Sequence, residues 1–147
     1  MLEIGCGWGW CAVQMARSTG CRVTGLTLSR DQLAYAQALV RREGLQDRVE
    51  LLEMDYRVAA RAMAGRFDKV VSIEMIEAVG REHLPTYFEC IARALRPNGV
   101  AVLQAICTSE EKYANYCRGD PDFIQRHIFP GGHCQALRAV LRPRARA

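Results

Sequence analysis

The chain has 147 residues, half of them hydrophobic and 24% charged, which fits one globular domain able to bury roughly 70% of its unfolded surface. No apolar run approaches the roughly 20 residues that cross a bilayer, and the start Met1, Leu2, Glu3, Ile4, Gly5 carries no basic signal-peptide region. The net charge of +4 is that of the tail residues Arg138, Arg142, Arg144 and Arg146; the remainder is neutral and lacks aromatic–basic interleaving, so no nucleic acid partner is expected.

In chain order, residues 2–4 are a short apolar piece feeding Gly5. Residues 10–19 read as a helix stopped by Gly20. "CRVTGLTL" reads as a buried strand. "SRDQLAYAQALVRREG" reads as a helix with Ser29 as N-cap, Gln32 completing a capping box and Gly44 closing it. "RVELLEMD" and "FDKVVSIEM" are strands, "EHLPTYFECIARALRPNG" is a helix stopped by Pro-Asn-Gly, and "VAVLQAI" is a strand. A weaker helix spans about Glu110 to Arg118, and "DFIQRHIFPGG" ends in a turn. Strands alternating with helices predict a parallel α/β sheet of five strands, with no room for more and with both faces covered.

Seven cysteines, an odd count without a CxxC pair, predict reduced and mostly buried thiols of a cytoplasmic chain. His83, His127 and His133 form no ligand pattern, so no metal is expected.

The chemistry-bearing stretch is "LEIGCGWGW" at residues 2–10. A glycine-rich turn between strand and helix lets backbone N–H groups approach a ligand at a helix N-terminus. The dinucleotide fingerprint needs a third glycine where Trp10 stands and an acid on the second strand, where residues 21–29 have none. NAD and FAD are therefore disfavoured. Glu3, two residues before Gly5, instead gives the form of the first motif of S-adenosylmethionine (SAM) methyltransferases. Trp8 is open to two readings, a ring facing the sulfonium cation or packing under the loop. Glu74 reads as a solvated carboxylate near a helix start, able to share a helical face with Glu77.

"GLTLSRDQ", "DYR", "FDKVVSIEMIEAVG", "VLQAI" and "FIQRHIFPGG" follow in order, and over residues 1–133 the chain resembles the cyclopropane-fatty-acyl-phospholipid synthase family, mycolic-acid-modifying relatives included. The resemblance implies a Rossmann-like class I SAM-dependent methyltransferase sheet in 3-2-1-4-5 order, incomplete, without the last two strands and the N-terminal helical region of the family. It implies Gly5, Gly7 and Gly9 at the methionine part of SAM, with Glu3 near its amino group. Thr27, Ser29 and Gln32 match ribose-side positions, although a capping box alone would explain the last two, and Asp55 and Tyr56 match the segment bordering adenine. Family members transfer the SAM methyl to a cis double bond, and a base, bound bicarbonate, removes a proton from that methyl as the ring closes. Glu77 matches the glutamate that holds bicarbonate, Gln104 a position often occupied by His, and Ile106 a backbone contact to the anion.

The implied function is cyclopropane formation on unsaturated phospholipid acyl chains at a membrane surface by a cytoplasmic protein, peripheral membrane attachment being a second expectation. Two alternatives stand beside it: a non-catalytic SAM-binding fragment, and a methyltransferase of a small molecule. Oligomeric state is not legible. Residues 134–147 depart abruptly from the family pattern into Arg and Ala, the mark expected of a frame change, an altered splice or a truncated gene. The fifth strand is then expected to be an exposed edge.

Overall fold

The computed structural model describes residues 1–121 and 123–141. The tail arginines Arg142, Arg144 and Arg146 lie outside the described residues. The chain divides into two units, one of residues 1–73 and 90–103, the other of residues 74–89 and 104 onward.

In the first unit, β1 (Leu2–Ile4) leads into α1 (Trp10–Thr19), β2 (Val23–Thr27), α2 (Arg30–Arg42), β3 (Val49–Glu53), α3 (Tyr56–Ala62) and β4 (Phe67–Ile73). Helix α4 (Leu84–Ala94) then feeds β5 (Leu95–Gln104). The sheet order is β3-β2-β1-β4-β5, as the resemblance implies. β1 is central and pairs in parallel on both sides, Leu2 with Thr24 and with Val70. A three-residue strand holds this place because its start is tied down. The Met1 amino group donates to Arg22 O at 2.7 Å, and Thr24 N–H donates to Met1 O at 2.9 Å. All three β1 side chains are buried, and the Ser72 hydroxyl donates to Ile4 O at 3.0 Å from β4.

Helices α1 and α2 bury small and branched residues, Ala12, Val13, Ala16, Ala36, Leu39 and Val40, in one core with Val23, Val49 and Leu51 of the sheet. Gly20 ends α1 in the left-handed conformation at φ 71°, and Ser29 caps α2, as the sequence predicts.

Several expectations change. Helix α3 escapes the sequence pattern because seven residues are too few for a periodic stripe; its one signal is the cap Asp55. Helix α4 stops at Ala94, before the Pro-Asn-Gly stop: Pro97 disfavours helical backbone at Arg96, and Asn98 sits at φ 65°. Both faces of β5 are not covered, since Val100 and Val102 are 48% and 58% exposed. The sheet-edge position of β5 agrees with expectation. Of the seven cysteines, none in a disulfide, Cys6 is buried and the other six are partly exposed, against the mostly buried thiols expected.

The second unit holds two short turns (Ile76–Ala78 and Arg81–His83), β6 (Cys107–Thr108), α5 (Glu110–Tyr116), a wide helical turn (Ile124–Ile128), β7 (Gln135–Ala136) and α6 (Leu137–Leu141). β6 and β7 pair in parallel, two strands more than the five expected. Two-residue strands carry no alternation to read. Among the described residues no helix is long and apolar enough to cross a membrane.

Candidate functional site

In the first unit, Gly5, Gly7 and Gly9 all adopt positive φ, at 79°, 53° and 81°. Gly5 N–H and Cys6 N–H both donate to Leu26 O, which turns the chain away from β1 and toward α1. At Gly9 a Cβ would meet Ala36 Cβ at 2.7 Å, so glycine is required there for packing as well as for conformation. At Gly7 a Cβ would meet nothing within 4 Å: that side of the loop is open. The cap residue Gly9 offers α1 no side-chain cap, and the internal carboxylate that reaches its first turn is that of Glu3, through the Ala12 N–H. Trp8 is exposed and packs edge-on against Tyr35 at 5.4 Å, which is not the packing under the loop that one reading gave.

Glu3 is 2% exposed, and its Oε2 has no hydrogen-bond partner. Burial raises its carboxyl pKa to about 7, against the weaker opposing pull of the Cys11 thiol and the Ala12 N–H. Burial, then the Glu3 charge, pushes the Cys6 thiol up to about 12 and the Cys11 thiol up to about 11. A buried carboxylate with one unmet oxygen calls for a cation or a strong donor.

Thr27, Ser29 and Gln32 form one closed cluster. Thr27 donates to Gln32 Oε1 at 3.0 Å and accepts from Ser29 N–H at 3.2 Å, while Ser29 Oγ accepts from Gln32 N–H at 3.3 Å. The capping box is therefore only half made: the Gln32 side chain turns to Thr27, and the Ser29 amide does the same. This leaves the Gln32 NH2 group and the Ser29 hydroxyl proton as donors beyond these bonds. Asp55 caps α3 through Arg57 N–H at 2.8 Å and holds the Arg57 guanidinium at 2.9 and 2.6 Å. These Arg57 bonds hold its carboxyl below the usual range. Tyr56 is half-buried, and burial raises its phenol.

In the second unit, Glu77 lies in the Ile76–Ala78 turn, and its Oε1 accepts from the Ile106 N–H. Its Oε2 is buried without a partner. Glu74 stands outside that turn at φ 49°, an uncommon conformation for a side-chain-bearing residue, so the shared helical face expected for Glu74 and Glu77 does not exist. Gln104 Nε2 donates to Glu74 Oε1 at 3.1 Å, and Gln104 O accepts from Glu74 N–H at 2.9 Å. The structure thus joins Glu77 to Ile106 and Gln104 to Glu74. Of the Ile106 backbone, read from the sequence as a contact to the anion, the N–H is engaged by Glu77.

Sequence reasoning missed the neighbours of Glu77. His133 N–H donates to Glu77 O at 2.8 Å. The Cys107 thiol is raised, first by burial and then by the Glu77 charge. These contacts join residues far apart in sequence and depend on backbone atoms, which carry no residue-type signal.

A family model described as mycolic acid cyclopropane synthetase matches residues 1–146. A probable fatty acid methyltransferase of Pseudomonas putida is 38% identical over 140 residues, covering 95% of this chain and 35% of that protein. The cyclopropane-fatty-acyl-phospholipid synthase of Escherichia coli K12 is also 38% identical over 140 residues, covering 95% of this chain and 33% of its own. Among solved structures, a mycolic acid cyclopropane synthase complexed with SAH and CTAB superposes with a TM-score of 0.80 at 27% identity, over 96% of this chain and 51% of that one. The chain spans about a third of the length of these curated relatives. The sheet is that of the Rossmann-like class I SAM-dependent methyltransferases.

Proposed function

The chain belongs to the mycolic acid cyclopropane synthetase family, and from that premise we propose that it serves SAM-dependent transfer to the cis double bond of an unsaturated phospholipid acyl chain, forming a cyclopropane ring. The observation that carries the reading is Glu77, bound at one oxygen by Ile106 N–H and buried without a partner at the other. That second oxygen suits the O–H of a small protonated oxyanion, which is what bicarbonate offers. Gln104 keeps one amide hydrogen beyond its bond to Glu74, so it can donate to the same anion without a charge that varies with pH.

On this reading SAM supplies the electrophilic methyl and bicarbonate the base. The residues of the first unit bind and orient. The open side of Gly7 and the uncapped start of α1 receive the carboxylate end of the cofactor. The unmet oxygen of Glu3 receives its ammonium group. Gln32 and Ser29 offer donors to the ribose, Thr27 orients Gln32, and Asp55 and Tyr56 border the adenine. The acyl chain would be met at a membrane surface by a cytoplasmic protein.

A methyl-branched product is the second reading, favoured by the similarity to a probable fatty acid methyltransferase. It shares the cofactor site and differs in which proton the base takes from the cation left by methyl transfer: one from a neighbouring chain carbon, leaving a methyl-branched alkene, instead of one from the new methyl, which closes the ring.

The test is calorimetric titration of the chain with SAM and with S-adenosylhomocysteine, followed by turnover on unsaturated phospholipid with added bicarbonate. Micromolar binding of both, with Glu77→Gln binding SAM normally but losing about 10²-fold or more in turnover, is expected. A folded chain that binds neither ligand overturns the reading.

A further inference from the structure

We propose that residues 132–134 act as a strap that holds Glu77 and Ile106 in register, with His133 and Tyr113 as its positioning residues. The proposal rests on Glu77 being the carboxylate that holds the base.

Three consecutive residues grip the Glu77–Ile106 hydrogen bond from behind. Gly132 approaches the Glu77 backbone so closely that a Cβ would lie 2.9 Å from Glu77 O. His133 N–H donates to that same carbonyl at 2.8 Å. The Cys134 thiol reaches Ile106 O at 3.4 Å. The backbone of both partners is thus held by the strap, while Ile106 N–H meets the Glu77 side chain.

The strap is anchored in turn. The Tyr113 hydroxyl meets His133 Nε2 at 3.1 Å and Gln135 Oε1 at 3.4 Å, and Gln135 is fully buried. The Tyr113 hydroxyl thus bridges the His133 ring and the buried Gln135 side chain. The His133 ring also packs against Tyr116 at 5.0 Å, and Tyr116 OH accepts from Cys134 N–H at 2.9 Å. Arg81 lies over the Tyr113 ring at 5.9 Å.

Glu77 needs such an anchor. Its own turn is three residues long and follows Glu74 at φ 49°, so local backbone gives it little hold. A carboxylate that must keep one oxygen on Ile106 and the other ready for a donor tolerates little drift.

The test is amide hydrogen exchange by NMR on the full chain, without cofactor or lipid. Tyr113→Phe keeps the ring and removes the hydroxyl. The expected result is faster exchange at the Ile106 amide by about tenfold or more, with the central-strand amides of Leu26 and Val71 unchanged. His133→Asn is the second variant, for use if Tyr113→Phe fails to fold, and should act the same way. Unchanged Ile106 exchange in a folded variant overturns the proposal, and so does equal acceleration at Leu26 and Val71, which would mark general loosening. Failure of the SAM titration would strike the functional reading and leave this measurement standing.

Discussion

Glu3→Gln should stabilise the unliganded chain at neutral and alkaline pH while removing its hold on the cofactor. Burial raises the Glu3 carboxyl from 4.5 to about 7. The folded state therefore binds more protons than the unfolded one between those values, and stability falls as pH rises through that window. The protonated form contributes fully below the unfolded value of 4.5, and that contribution is lost once pH passes about 7. The displacement corresponds to about 3 kcal/mol. Gln imitates the protonated acid and has no such slope. Urea melts of both proteins from pH 4 to 8 should start together and diverge by up to about 3 kcal/mol, the variant being the more stable at pH 8. On the proposed reading the same charge would hold the SAM ammonium group. Wild-type affinity for SAM should thus rise toward pH 7 by up to about tenfold per unit, with a proton released on binding, and the variant should lose that dependence. Parallel stability curves for the two proteins would refute the argument, because they would mean that Glu3 is not desolvated.

Gly9→Ala combines a φ of 81° with an approach of 2.7 Å to Ala36 Cβ and should cost about 1–3 kcal/mol in urea melts. Gly7→Ala meets nothing within 4 Å but sits at φ 53°, so melts should show only the left-handed backbone cost of about 1 kcal/mol while calorimetry finds SAM affinity falling by more than that. Gln32→Ala keeps the backbone N–H that Ser29 caps but removes the side-chain NH2 and the Oε1 that takes the buried Thr27 hydroxyl, so SAM affinity should drop about tenfold while melts show a loss of about 1 kcal/mol. Asp55→Ala should cost about 1 kcal/mol through the lost cap. Because Arg57 holds the Asp55 carboxyl low, that difference from wild type should persist at neutral pH and shrink only as pH falls below the usual value of 3.8, measurable by melts in acid.

The sheet was legible because its signals are local and redundant. Ser29 at the head of an apolar-striped helix, Gly20 and Gly44 at helix ends, and five apolar runs each point to one element, and parallel α/β connectivity then restricts the order. The Gly5–Gly9 loop was legible for the same reason, since glycine is written into the sequence wherever positive φ is needed. Side-chain partners were not legible. Ser29 and Gln32 have capping-box spacing, yet Thr27 takes the Gln32 side chain, because a buried hydroxyl must find a partner and the box was the weaker alternative. Glu74 and Glu77 have helical spacing, but the chain after β4 is not helical at Glu74, and no residue there announces it.

What pattern could not supply is which polar atoms are left over. Glu3 and Glu77 are ordinary acids in sequence and alike in structure: each has a buried oxygen without a partner. Their demands nevertheless differ. Glu3 stands beside an open glycine loop and an uncapped helix start, features that accept an anion, so the zwitterionic end of one ligand can satisfy both, its carboxylate at the helix and its ammonium at Glu3. Glu77 already takes a backbone N–H on one side, so it needs only a neutral O–H or N–H on the other. On the proposed reading, a protonated oxyanion would give that oxygen its O–H and accept the spare Gln104 amide hydrogen. On the proposed reading the two unmet oxygens would therefore take different molecules, an amino acid-like cofactor end at Glu3 and a small hydrogen-donating anion at Glu77.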